Sequence, residues 1–191
     1  MIGNFNVEFW PVVYLKVNNN IEITDDIFDE YKKKYLSLLV NCKRSGEKMF
    51  VIFDLNNFNN TENIPLKYIM KQVQFNKQIY KFNKEYLKGI CILCKSKAFK
   101  NIVNMYFSFS KPAAPFKLCR SNEKANLFLK DKCNINFDIS IFNKNDLNVN
   151  DVEEEEECDN INVYKEDSEY EYENSSESYD DIEKFAITIN N

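Results

Sequence analysis

The chain has 191 residues, 30 of them acidic, 25 basic and none histidine. That length suits one domain plus a tail, and the missing histidine excludes Ser-His-Asp and Cys-His catalysis, His-ligated metals and a phosphohistidine relay. Charge divides the chain unevenly: residues 1–150 hold 23 Lys and Arg against 14 Asp and Glu, a net of +9, while residues 151–191 hold 2 against 16, a net of −14.

No apolar run approaches the length of a membrane span, and Met1 to Val13 lacks a basic segment ahead of an apolar one. A soluble cytoplasmic protein is expected, with neither an integral membrane segment nor a secretory signal. The six cysteines are scattered inside apolar runs, as reduced, buried thiols are. Cys91-x-x-Cys94 falls in a strand-like run where an odd spacing sends the two thiols to opposite faces, so no metal and no cofactor is expected there. Lys outnumbers Arg 23 to 2 and Asn is frequent throughout, the mark of an A+T-rich coding sequence.

In chain order, Asn6 to Val17 alternates and is rich in β-formers, with Pro11 making it an edge strand, a bulged strand or two short strands. Thr24 or Asp25 caps a helix whose first turn is acidic and whose Ile27, Phe28, Tyr31, Tyr35, Leu38, Leu39 and Cys42 face inward. Met49 to Leu55 then reads as a central strand buried on both faces, including Val51 and Phe53. A long amphipathic helix over 64–87 follows. Gly89 to Lys95 is a second buried strand, and Ser96 caps a helix carrying Phe99, Ile102, Val103, Tyr106 and Phe107. Pro112 and Pro115 end that helix, Phe116 to Arg120 is a short strand, and Ser121 caps the last helix. Ile135, Phe137, Ile139 and Ile141 alternate with polar residues as an added edge strand would. Beyond Asn145 the acidic runs cannot bury enough apolar area to offset ordering entropy, so 146–191 is expected to be a disordered tail after a 1–145 domain.

The expected fold is therefore α/β: a mixed β-sheet with about four helices packed on it. Several stretches in this order resemble STAS-like domains, relatives of anti-sigma-factor antagonists and of sulfate-transporter cytoplasmic domains. They are Phe9-Trp10-Pro11-Val12-Val13, Thr24-Asp25-Asp26-x-Phe28, Phe53-Asp54-Leu55, Gly89-Ile90-Cys91-Ile92-Leu93, Pro112-x-x-Pro115-Phe116 and Ser121-Asn122-Glu123-Lys124-Ala125. The resemblance spans about residues 7–131. It implies a non-enzymatic module that binds a protein partner through its second helix and adjoining loop. The antagonist branch phosphorylates a serine in an Asp-Ser-Ser/Thr-Gly turn, whereas the loop here, 56–63, has Thr61 as its sole hydroxyl. Acid-directed phosphorylation is expected instead in the tail, at Ser168 and Ser178, each with an acidic residue three positions on.

The helix over 64–87 divides into an apolar arc and a lysine arc that includes Lys67, Lys71, Lys77, Lys81 and Lys84, with Lys88 just beyond. A solvated face fits that arc, and so does a docking surface for an acidic protein partner, with the −14 tail as a competing partner of its own chain. Anionic lipid-surface or small-ligand binding is the alternative. Nucleic acid is disfavoured because neither arginine lies on that helix to read a base edge. A lipid carrier of the CRAL-TRIO kind shares the layout, yet about 130 folded residues leave little room for its pocket. As an enzyme the chain would use the carboxyl ends of neighbouring strands, where Asp54, Lys95 and Ser96 would converge on a small ligand. Structural roles, with Asp54 receiving loop N–H groups and Ser96 capping its helix, fit these residues better.

Overall fold

The computed structural model describes residues 3–18, 21–56, 58, 64–97 and 99–143. The expected tail, with Ser168 and Ser178, and the loop hydroxyl Thr61 lie outside the described residues. The elements are β1 (Gly3–Asn6), β2 (Val12–Val17), α1 (Asp25–Ser45), β3 (Met49–Asp54), α2 (Leu66–Gln78), α3 (Tyr80–Tyr86), β4 (Leu87–Leu93), α4 (Phe99–Phe109), β5 (Phe116–Cys119) and α5 (Asn122–Cys133), followed by a 3₁₀ turn at Ile139–Asn143. This is a mixed α/β fold whose five strands lie in sequence order, β1 antiparallel to β2 and the remaining pairs parallel.

Local chemistry accounts for most of the boundaries. Thr24 accepts the Ile27 N–H at the start of α1, and Gly46 closes that helix with φ 72°, a left-handed conformation that suits a residue without Cβ. Ser121 caps α5 by accepting from Lys124 N–H, and Ser96 accepts from Phe99 N–H at the head of α4. Pro11, after a cis Trp10–Pro11 bond, resolves the amino-terminal stretch into two strands, with β2 inside the sheet and β1 at its edge.

Alternation on the strands builds two cores. Val13, Leu15, Val17 and Val51 face α1, α2 and α3, while Val12, Tyr14, Phe50, Ile52, Cys91 and Cys119 face α5. With strands in sequence order and right-handed crossovers, the helices between parallel strands share one face, and α5, which follows the last strand, takes the other. Cys91 and Cys94 accordingly belong to different clusters. The register slips between Met49 and Phe50, so Leu87 and Ile90 both look toward the first face while Gly89 looks toward α5.

Three expectations require correction. The helix over 64–87 is two helices, because Ile79 leaves helical geometry (φ −97°, ψ 13°) to bury its side chain in the α1 cluster. Its last residue, Leu87, belongs instead to β4. The edge strand at 135–141 does not form: Asn126 accepts the Ile139 N–H and Asp138 accepts the Ser140 N–H, folding the segment into a turn. Phe137 and Phe142 then pack with Phe9, and Phe142 stacks on Tyr14 with ring centroids 4.2 Å apart.

The two layers sit at different heights. Helix α5 runs close against β4 and β5, whereas α1, α2 and α4 stand further from the sheet. Gly89 permits the close approach: a Cβ there would lie 2.6 Å from the Cys133 Sγ and 2.7 Å from the Phe50 ring. We predict that Gly89→Ala lowers stability by about 1–3 kcal/mol through overpacking. Phe50→Ala, on the closely packed side, should cost about 3–5 kcal/mol. Phe53→Ala, whose ring borders open space, should cost at least about 1 kcal/mol less, because a wall of an existing void has fewer contacts to lose. Urea denaturation of the three variants measures all of these.

Candidate functional site

The open space beside Phe53 is a partly open cavity of about 260 Å³ between the first face of the sheet and helices α1, α2, α3 and α4. Its floor is formed by strand residues of that face, among them Leu15, Phe53, Ile90, Ile92 and Phe116. Its walls are largely aromatic, with Phe28, Tyr31 and Tyr35 from α1, Tyr68 from α2, and Phe99, Tyr106 and Phe107 from α4. Every lining residue is buried or half-buried except Lys111, which is exposed. Large rings on separate helices line this space, and its volume is small beside what a lipid carrier of the CRAL-TRIO kind would need.

One wall is polar and uncharged. Tyr31 Oη accepts from Gln72 Nε2 at 3.5 Å, Gln72 Nε2 also donates to Asn76 Oδ1 at 3.1 Å, and Asn76 Nδ2 donates to Tyr106 Oη. Tyr35 Oη donates to Asn83 Oδ1 at 3.2 Å, and Asn83 is buried. Burial drives the Tyr31 and Tyr35 hydroxyls well above the ordinary phenol range, so both remain neutral. Gln72 and Asn76 lie four residues apart on the buried arc of α2, a spacing that puts two amides on one stripe. That pattern was present in the sequence, and the arc of hydrophobics around it concealed it.

A charged clamp spans the helices over this cavity. Asp25, the first residue of α1, pairs with Lys67 and Lys71 of α2 at 2.9 Å each, and both ammonium groups also lie over the Tyr68 ring. Hydrogen bonds from Lys67, then Lys71 and Tyr68, hold the Asp25 carboxyl well below its ordinary value. Two of the six lysines read as a partner surface are therefore committed to α1. Lys88 is also displaced from that surface: it lies half-buried in β4, where its charge acts on Cys133 of α5. Lys77, Lys81 and Lys84 remain exposed, and no ion pair holds them among the described residues.

Asp54, Lys95 and Ser96 do not line the cavity beside Phe53. Asp54 pairs in register with Leu93, two residues before Lys95, but its carboxylate turns to the α5 side of the sheet, away from the cavity. There it is 3% exposed, accepting from Tyr14 Oη and, at 2.9 Å, from Asn56 N–H. Lys95 is exposed. The thiols offer little reactivity, since burial pushes Cys42 and Cys133 each up to about 11 and raises Cys94. A hydrogen bond between Cys91 and Cys119 raises the first and lowers the second, both buried. Among the described residues no group of acidic, Cys or His side chains is placed to hold a metal, and no helix is long and apolar enough to cross a membrane.

Residues 11–132 match the profile of a domain of unknown function, DUF7793. The chain belongs to that family. No curated protein and no solved structure matches it. The DUF7793 span runs from just before β2 to near the end of α5 and contains every residue that lines the cavity, while β1 and the 3₁₀ turn fall outside it.

The Asp25 clamp should weaken as pH falls. A carboxyl whose folded pKa is depressed contributes stability above its ordinary value of 3.8 and loses that contribution as pH drops through the folded value. We predict lower amide protection factors over Ile69 to Gln72 in Asp25→Asn at neutral pH, and a similar loss of protection, relative to the intrinsic exchange rate at each pH, in the wild type as the solution is acidified below pH 4 or its salt is raised. Unchanged exchange in the variant would show that the clamp does not hold α2.

Proposed function

We propose that this DUF7793 domain is a non-enzymatic binding module whose cavity takes a small apolar ligand. The cavity carries this reading: a concave, partly open volume with mostly apolar walls and a few fixed polar groups is the usual form of a small-molecule site. The capped Asp54 and the buried thiols support a role without turnover. The ββαβαβαβα order, with α2 and α3 together taking the place of one helix, supports the STAS-like reading and with it a regulatory role. In that role, ligand in the cavity would change how α2 and α4 present themselves to a partner.

The size of the ligand follows from the volume. A cavity of about 150 Å³ lined by Leu, Ile and Phe binds benzene, so about 260 Å³ suits a molecule of roughly ten to twelve non-hydrogen atoms. Naphthalene is a suitable probe. It should bind the wild-type chain with micromolar to millimolar affinity, detected by chemical shifts of Ile90, Ile92 and Ile102 methyl groups. Ile90→Phe fills the cavity from its floor and should abolish binding while leaving the melting temperature within a few degrees of wild type. Naphthalene binding that persists in Ile90→Phe, or shifts confined to the surface, would count against the cavity.

A second reading rests on Lys77, Lys81 and Lys84, which are exposed at the junction of α2 and α3. This reduced patch would attract an acidic protein partner, and the −14 segment over 151–191 would compete for it. Deleting that segment should strengthen binding of an acidic peptide at low salt and have less effect as salt rises. An affinity that deletion leaves unchanged at low salt would rule out that competition.

A further inference from the structure

The cavity's polar wall has hydrogen-bonding capacity left over. Tyr31 accepts from Gln72, yet its own hydroxyl proton reaches no acceptor among the described residues. Asn83 accepts from Tyr35 through Oδ1, and its amide N–H groups reach none either. Both side chains are deeply buried, at 7% and 4% exposure, and both line the cavity. Gln72 uses its Nε2 in both of its hydrogen bonds, leaving its Oε1 as an acceptor on the same wall. The three groups belong to linked elements of one wall, with the Tyr31 and Tyr35 ring centroids 6.0 Å apart.

Donors that face a cavity without a protein partner are met there by water or by a ligand atom. The donors here are neutral, and the lining contains no Asp, Glu or Arg and just one Lys, at the exposed position 111. A carboxylate or an ammonium carried to this wall would lose its hydration with no opposite charge to replace it. A neutral oxygen loses far less and gains two donors. A hydroxyl could also donate to Gln72 Oε1.

We propose that the cavity selects an uncharged, largely apolar ligand of about naphthalene size that carries one hydroxyl or carbonyl oxygen, held by the Tyr31 hydroxyl and the Asn83 amide. This rests on the cavity being the ligand site, as argued above, and specifies its ligand class. The oxygen displaces water from the polar wall while the hydrocarbon body lies along Phe53, Ile90 and Phe107.

Three probes of nearly equal size test it on the full chain: naphthalene, 2-naphthol and 2-naphthoate, titrated by calorimetry at neutral pH. The expected order is 2-naphthol tightest, about tenfold over naphthalene, with 2-naphthoate weakest. Tyr31→Phe should erase the 2-naphthol advantage and leave naphthalene affinity within about twofold. Gln72→Met, on a half-buried position, provides a second variant should Tyr31→Phe fold poorly, and should reduce the advantage. Equal binding of naphthalene and 2-naphthol would overturn the neutral-oxygen inference while leaving the cavity as a ligand site. Tightest binding of 2-naphthoate would overturn it too and move the polar group to Lys111. Failure of all three probes to bind would remove the ligand site itself, and the inference with it.

Discussion

The difference in height between the two helical layers governs this structure. On one face of the sheet a glycine in β4 and an alanine in α5 allow a helix to lie almost against the strands, leaving Gly89 within contact of both Phe50 and Cys133. On the other face, rings from α1, α2 and α4 meet the aliphatic strand residues, and their bulk keeps the helices away. Interiors of proteins are close-packed, so a persistent void needs a reason. Here the wall side chains include rigid aromatics held in place by rings behind them, as Tyr31 and Tyr35 each meet Phe75 edge to face, and cannot fold inward to fill the gap.

That arrangement gives the two helical layers different sources of stability. Phe50, Ile52, Leu93 and Leu129 are fully buried on the side where α5 closes the sheet, and that layer together with the central strands supplies tight apolar packing. The opposite layer depends more on contacts between helices, including the exposed Asp25 clamp and the amide chain from Gln72 to Tyr106. Exposed ion pairs contribute little energy and are sensitive to salt, so the clamp adds little to the apolar packing that holds these helices. A ligand entering there would act on the helices that also carry the exposed lysines.

The Asp54 site illustrates why a motif at the end of a strand has to be read in three dimensions. Its position after a buried strand, close to Lys95 and Ser96, fits a ligand site at the carboxyl edge of an open sheet. Strand alternation nevertheless sends the carboxylate to the α5 side, where Tyr14 and Asn56 occupy it, while the empty volume lies on the opposite face. The structural role considered for Asp54 accounts for the Asn56 N–H it accepts, and the Tyr14 hydroxyl is a further partner from β2.

Much of this architecture is local and was legible in the residues. Thr24, Ser96 and Ser121 announce helix starts through side chains that reach N–H groups three residues on, and Pro11 and Pro112 interrupt regular structure wherever they occur. Alternation along β2, β3 and β4 likewise separates Cys91 from Cys94 without reference to the rest of the chain. Tertiary structure decided what depends on several distant segments together. Ile79 breaks a helix that periodicity continues, because a pocket among α1 side chains outweighs one residue's helical preference. Asp25 takes Lys67 and Lys71 out of the lysine surface across 42 and 46 residues of sequence, a pairing that no spacing rule within one helix contains. The cavity itself is a remainder, the difference between the space that four helices and the sheet border and the volume their side chains fill. No single stretch of sequence encodes that difference.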